Sequence, residues 1–312
     1  MPGRALCYDL SPVQGPARES ADAIIVNYRS YPELTRCLES LEAERGCLER
    51  VVVVDHECDA ALAARVVNRF PWIHLVERNT NEGFATGVNV GARLGAAPSL
   101  LILNPDCVVV PGACERLVAF LSGRPDTAAA GPRILNSDGT LQGSARRFPN
   151  LTTMIAGRSS WLTRAFPRNQ LSRWNLPAFD AGDDPIDVDW VSGACMLVRR
   201  EAFNRIGGMD ERFFLYWEDA DLCRRLHESG WRIAYYPGAT VVHVGGRSSI
   251  HAESASLIAF HKSAYALFRK HAHGAAAMLH PLVYVALQIR VRAMLALRAW
   301  SAKHPASSDH GA

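Results

Sequence analysis

The chain predicts an α/β protein built on a mostly parallel sheet, and three features of its first hundred residues predict it. Apolar runs at Ala23–Val26, Val51–Val54, Ile73–Val76 and Leu100–Leu103 are short and continuous, the mark of strands buried on both faces. Between them, Pro32–Gly46, Ala60–Phe70 and Phe84–Leu94 carry apolar residues at helical spacing. Finally, a polar residue or a Gly/Asn-rich stretch follows each run: Asn27, Asp55, Arg78–Gly83 and Asn104–Asp106. In a doubly wound sheet those positions line the crevice beyond the carboxyl ends of the strands, where ligands bind.

The helices justify themselves locally. Pro32 opens the first and Gly46 closes it, with Leu34, Cys37, Leu38 and Leu41 on one face. After Gly131 the pattern changes. Asn136–Gly139 is a turn signal, and residues 144–186, rich in Arg, Trp, Phe and Pro, are expected to form an elaborated loop region that shapes a pocket. Strands resume at Val188–Val191 and Cys195–Val198. A helix begins near Glu218, carries Leu222 and Leu226 and stops at Gly230. Two strands, Arg232–Tyr236 and Thr240–Val244, are expected next, and helices fill the remainder.

Composition sets bounds on function. The 312 residues, 48% hydrophobic and 21% charged, suffice for one large domain with an appendage. Eight cysteines contain no C-x-x-C pair, which argues against a zinc ribbon or dithiol site and fits a reducing cytosol. The first twenty residues lack a signal-peptide core and read as a flexible tail, so the expected location is cytoplasmic. Net charge is +3, yet residues 254–308 hold seven Lys/Arg and no acid, so subtracting seven leaves −4 for the rest.

Three segments carry the chemistry. Asn104-Pro105-Asp106 puts a carboxylate at the end of a buried strand, suited to Mg²⁺ or Mn²⁺ on a substrate phosphate or to capping the helix after Pro111. Trp217-Glu218-Asp219 starts a helix behind the aromatic run Phe213–Trp217. Its acids serve the helix dipole or place a general base in a partly dry cleft. His243 precedes a Gly245-Gly246-Arg247-Ser248 loop suited to phosphate approach, although a strand-end histidine is as often structural. The Asn81–Asn89 loop lacks both the dinucleotide G-x-G-x-x-G and the P-loop lysine, which counts against hydride transfer and P-loop phosphoryl transfer.

In chain order, Asp55, N-E-G-F-A-T-G-V-N, L-N-P-D, V-S-G-A, W-E-D and H-V-G-G-R-S resemble the family 2 glycosyltransferases of the GT-A fold, and most closely their bacterial rhamnosyltransferase-like branch. The resemblance runs from about Ala23 to Ser249. It implies a GT-A catalytic domain over residues 21–250, with a nucleotide-binding half at 21–131 and an acceptor half at 132–250. A basic helical region (251–304) and a tail (305–312) follow. It implies that Asn27, Asp55, Asn81, Gly83, Phe84, Asn89, Asn104 and Arg247 bind the nucleotide sugar, and that Asp106 and His243 hold a divalent metal. Asp219 would be the catalytic base, with Glu218 beside it. Trp190, Ser192, Gly193, Ala194 and Trp217 would form the acceptor and sugar pocket.

The implied reaction is inverting transfer from a nucleotide-diphosphate donor, with dTDP-L-rhamnose favoured by the branch, to a glycan or polyprenyl-diphosphate-linked acceptor in cell-surface polysaccharide synthesis. Galactose, GlcNAc and galactofuranose donors are alternatives, as is a non-catalytic nucleotide-sugar-binding protein. Two departures stand out: Asn104 replaces the first Asp of the family's D-x-D, and His56-Glu57-Cys58 follows Asp55 where Asn-x-Ser is usual.

The basic stretch has two readings. It is either a helical pair packed on the catalytic domain or a contact, through 262–303, with the anionic inner leaflet of the plasma membrane at ~1 kcal/mol per basic residue. Gly274–Ile289, interrupted by Pro281, is shorter than the ~18–20 residues of a spanning helix. No nucleic-acid partner is expected, because aromatic residues are not interleaved with the charges.

Overall fold

The computed structural model describes residues 19–148, 181–244 and 253–303. Arg247 and most of the 144–186 loop region lie outside these. The first half alternates as expected: β1 (Ala21–Tyr28), α1 (Tyr31–Leu41), β2 (Leu48–His56), α2 (Ala60–Arg69), β3 (Ile73–Arg78), α3 (Phe84–Ala92) and β4 (Ser99–Leu103). There follow β5 (Cys107–Val109), α4 (Ala113–Ser122), β6 (Thr127–Leu135), β7 (Ala145–Arg146), β8 (Ile186–Asp187), β9 (Trp190–Val191) and β10 (Cys195–Arg199). The chain continues with α5 (Arg200–Arg205), α6 (Glu218–Glu228), β11 (Arg232–His243), α7 (Glu253–His271) and α8 (His280–Lys303).

The main sheet runs β3-β2-β1-β4-β10-β6-β11-β5, with β8 on β11, while β7 and β9 form a separate ribbon. β1, β2, β3 and β4 are parallel, and β10 enters antiparallel to both β4 and β6. That reversal has a consequence for function. Because β6 and β11 run parallel, the start of β10 and the end of β11 reach the same sheet edge as the ends of β1, β2 and β4.

The two strands expected at 232–244 are one strand whose register slips between Tyr236 and Thr240, a bulge at Pro237-Gly238. Pro132 sits inside β6 beyond the end of the β10 pairing, which stops at Ala130, so its missing N–H breaks no bond on that side.

Apolar clusters cover both sheet faces, with Ile25, Val53, Leu101 and Leu103 in one and Ile24, Leu100, Ile102 and Met196 in the other. Helix α3 lies directly on β1: a Cβ at Gly87 would stand 2.7 Å from Val26, and one at Gly91 2.6 Å from Ile24. Gly87 of the Asn81–Asn89 stretch and Gly91 just after it serve packing.

Candidate active site

Near the end of β2, Asp55 is fully buried, and its two oxygens accept from Asn27 Nδ2 at 2.6 Å and Tyr31 Oη at 2.7 Å. Burial and the neighbouring carboxylate push the Tyr31 phenol up, so it stays a donor. His56, on the other face of β2, is 1% exposed; its Nδ1 lies 3.1 Å from Asn81 Oδ1, and Nε2 has no partner. Asn81 Oδ1 also accepts from the Gly83 N–H at 3.0 Å, shaping the entry to α3. Gly83 has φ +90°, and a Cβ there would stand 2.6 Å from the Phe214 carbonyl oxygen, which accepts from the Phe84 N–H at 2.9 Å. The Asn81–Phe84 loop thus abuts the segment leading to Asp219.

Asn89 is bonded within the fold. Its Nδ2 donates to the Met209 carbonyl and to Glu211 Oε1, each at 2.9 Å, and its Oδ1 accepts from the Met209 N–H at 2.9 Å. With both amide protons spent, Asn89 ties α3 to the 209–211 segment.

Asp106 and His243 come together as the family resemblance implied. The antiparallel register sets His243 opposite Cys107, and His243 Nε2 lies 3.1 Å from Asp106 Oδ1. Gln142, which nothing in the sequence marked, orients the ring. Its Nε2 donates to Asn136 Oδ1 at 2.8 Å, which turns Oε1 toward His243 Nδ1 at 3.0 Å. Nδ1 therefore carries a proton, and Nε2, on the Asp106 side, is the nitrogen that would offer its lone pair to a metal, the arrangement usual for a ligating histidine. Asp106, Cys107 and His243 hold potential ligand atoms within 4.8 Å of one another. The Cys107 thiol donates to the Ala194 carbonyl at 3.1 Å, burial pushes its pKa well up, and soft sulfur suits Mg²⁺ or Mn²⁺ less well than oxygen ligands do. One carboxylate and one imidazole fit Mn²⁺ or Mg²⁺ completed by diphosphate and water oxygens.

The turn Ser192-Gly193-Ala194 joins this pair to the acids of α6. The Ala194 carbonyl accepts from the Asn104 N–H at 2.9 Å, while the Gly193 N–H donates to Asp219 Oδ2 at 2.9 Å. Asp219 Oδ1 accepts from the Ala220 N–H at 2.8 Å. Burial raises the Asp219 pKa against these donors and the nearby Arg146 charge. Glu218 is buried, its Oε2 has no partner, and burial plus the Asp219 charge push its pKa well up. The entry to α6 is strained: Tyr216 (φ +67°) and Trp217 (φ +71°) are left-handed, at ~1–3 kcal/mol each. Trp217 lies 6.1 Å from Trp190, whose Nε1 donates to the Arg147 carbonyl and whose ring carries Arg146 at 5.0 Å.

Comparison with known proteins places this geometry. A family model described as "Glycosyltransferase like family 2" matches residues 20–260. N-acetylglucosaminyl-diphospho-decaprenol L-rhamnosyltransferase of Mycobacterium tuberculosis (strain CDC 1551 / Oshkosh) is 34% identical over 254 residues, 78% of this chain and 81% of that protein. Among solved structures, mannosyltransferase PcManGT from Pyrobaculum calidifontis in complex with GDP-Man and Mn²⁺ aligns with a TM-score of 0.53 and 17% identity, covering 91% of this chain and 81% of that one. GalNAc-T7 with UDP, GalNAc and Mn²⁺ aligns with a TM-score of 0.54 and 18% identity over 72% of this chain, which spans 43% of that protein. The two likenesses show a shared GT-A fold. The chain belongs to the family 2 glycosyltransferases and is a hexosyltransferase.

Proposed function

We propose that the protein transfers L-rhamnose from dTDP-L-rhamnose to a polyprenyl-diphosphate-linked acceptor bearing GlcNAc, with inversion, at the cytoplasmic face of the plasma membrane. The observation that carries the reading is one turn, Ser192–Ala194, bonded on one side to the Asp219 carboxylate and on the other to the strand end bearing Asp106. The 34% identity to a rhamnosyltransferase named for a decaprenol-linked GlcNAc acceptor supports the choice of sugar and lipid.

In this reading Asn27, Asp55, Asn81, Gly83, Phe84 and Asn104 line the nucleotide side of the 21–250 domain. His56 adds a buried ring nitrogen without a protein partner. Asp219 takes the proton of the acceptor hydroxyl while that oxygen bonds to the anomeric carbon. The bond from that carbon to the diphosphate oxygen breaks, and the nucleoside diphosphate departs with the electron pair. A divalent cation held by Asp106 and His243 would neutralise charge on the departing diphosphate. Trp190, Gly193 and Trp217 wall the acceptor side. A role for Arg247 on the diphosphate stays part of the proposal, resting on sequence alone.

Membrane contact belongs to the same reading. Helix α8 buries Val283, Leu287 and Val291 against its surroundings while Leu282 is 65% and Ile289 63% exposed, with Arg292 and Arg298 also outward. Gly274–Ala299 is long and apolar enough to cross a membrane by length and composition, with 17% of its most apolar 18-residue stretch buried. An exposed apolar face set among basic residues suits docking on an anionic leaflet.

The test is transfer by purified protein from a panel of nucleotide sugars to a synthetic polyprenyl-diphosphate-GlcNAc, with Mg²⁺, Mn²⁺ or EDTA. The expected result is metal-dependent consumption of dTDP-L-rhamnose. Turnover of another donor would replace the sugar assignment. Nucleotide binding without any transfer would favour the non-catalytic reading.

A further inference from the structure

We infer that α7 is a positioning element for the base, holding the segment Leu215–Trp217 with its two strained residues and the interior of α6, mostly through residues beyond the span the family model matches. This rests on the transferase reading above.

Consecutive left-handed aromatic residues persist only where their surroundings over-determine them. The described residues show what does so here. The Phe260 ring of α7 lies 5.7 Å from Tyr216 and 5.3 Å from Trp217, contacting both strained residues. One turn on, the buried Ser263 donates from Oγ to the Leu215 carbonyl at 2.8 Å. At the far end of α7, Lys270 Nζ reaches Asp221 Oδ1 at 2.6 Å and His271 Nε2 reaches it at 2.8 Å. Asp221 is fully buried and shares α6 with the base, two residues away.

The same helix therefore grips the backbone just before Asp219 and the side chain just after it. The Gly193 N–H selects the rotamer of the Asp219 carboxylate, whereas α7 sets where its backbone stands. Because the family model ends at residue 260, Ser263, Lys270 and His271 all fall beyond it.

Phe260→Ala removes the shared contact, Phe260→Leu restores apolar bulk, and Leu267→Ala removes a buried anchor of α7 away from the segment. Transfer kinetics and nucleoside-diphosphate affinity by calorimetry are measured for each with metal present. F260A is expected to lose about 10- to 100-fold in kcat with donor KM within about 2-fold, since misplacing a base slows chemistry without removing donor contacts. F260L should recover most of that loss, and L267A should lower the melting temperature yet keep kcat below it. Equal kcat losses in F260A and L267A would reduce α7 to a structural support and overturn the inference. Should F260A not fold, Ser263→Ala tests the same grip: a kcat loss at unchanged nucleotide affinity supports it, and wild-type kcat refutes it. Silence of the wild-type protein toward every donor counts against the transferase reading and the positioning role together, whereas an active wild type with an unaffected S263A removes only the latter.

Discussion

The Gly193 amide donates to Asp219 Oδ2 at 2.9 Å, and this one bond joins the turn before β10 to the first turn of α6. Its neighbour Ala194 meets Asn104 through its carbonyl, so two chemically distinct ends of the crevice share a single rigid turn. A base and a leaving-group site on opposite sides of a reacting carbon need that kind of fixed separation.

Gln142 gives a prediction about metal affinity. Gln142→Leu keeps the bulk but removes the acceptor that holds the proton on His243 Nδ1. Losing such a partner should weaken metal binding about 10- to 100-fold. The Mn²⁺ concentration for half-maximal turnover should rise accordingly, while activity at saturating Mn²⁺ largely returns. An unchanged Mn²⁺ dependence would separate His243 from the metal.

Glu218 gives a prediction about pH. Its folded pKa is raised by burial, so the fold favours the protonated form. Stability from this group is fully present below the unfolded glutamate pKa of about 4.3 and is lost as pH rises through the raised folded value. Glu218→Gln should therefore melt higher than wild type at neutral pH, with the difference shrinking as pH falls. Asp219 must be ionised to accept a proton, and burial raises its pKa too, so the acid limb of kcat should lie above the ordinary aspartate range. Melting curves and pH–rate profiles from pH 4 to 8 would reveal either failure.

The exposed face of α8 predicts vesicle binding. Full-length protein should co-sediment with vesicles containing anionic phospholipid, more weakly as salt increases. Leu282→Glu with Ile289→Glu adds charge where both side chains are already in solvent, so folding should be unaffected and vesicle binding lost. Retained sedimentation of the double variant would move the contact elsewhere.

The parallel strands were legible because Val51–Val54 and Leu100–Leu103 are continuous apolar runs, and burial on both faces leaves no other pattern. β6 was not, since Thr127–Leu135 reads T-A-A-A-G-P-R-I-L, with small residues and an internal Gly-Pro in place of β-branched ones. The reversal at β10 was also hidden, because strand direction in the second half depends on partners far away in the chain. Among the proposed site residues, Asp106, His243 and Asp219 stood out as acids and a histidine at strand and helix ends, and the family resemblance gave them their roles. His56 was visible as a departure from the family pattern. Gln142, Tyr31, Phe260 and Ser263 are ordinary residues whose roles arise only from what the fold sets beside them. Asn89 is a polar residue in a suggestive loop whose amide the fold also uses internally, which the sequence does not reveal.

The central claim is that Asp219 is the base of a sugar transfer. The most direct measurement is the rate of rhamnosyl transfer by Asp219→Asn beside wild type, with dTDP-L-rhamnose, polyprenyl-diphosphate-GlcNAc and Mn²⁺, and with nucleotide affinity measured in parallel. The variant keeps the side-chain shape and an oxygen for the Gly193 amide but cannot take a proton. The account predicts wild-type nucleotide affinity with kcat lower by about 10²- to 10⁴-fold. A folded, nucleotide-binding D219N protein that transfers at near the wild-type rate would contradict it.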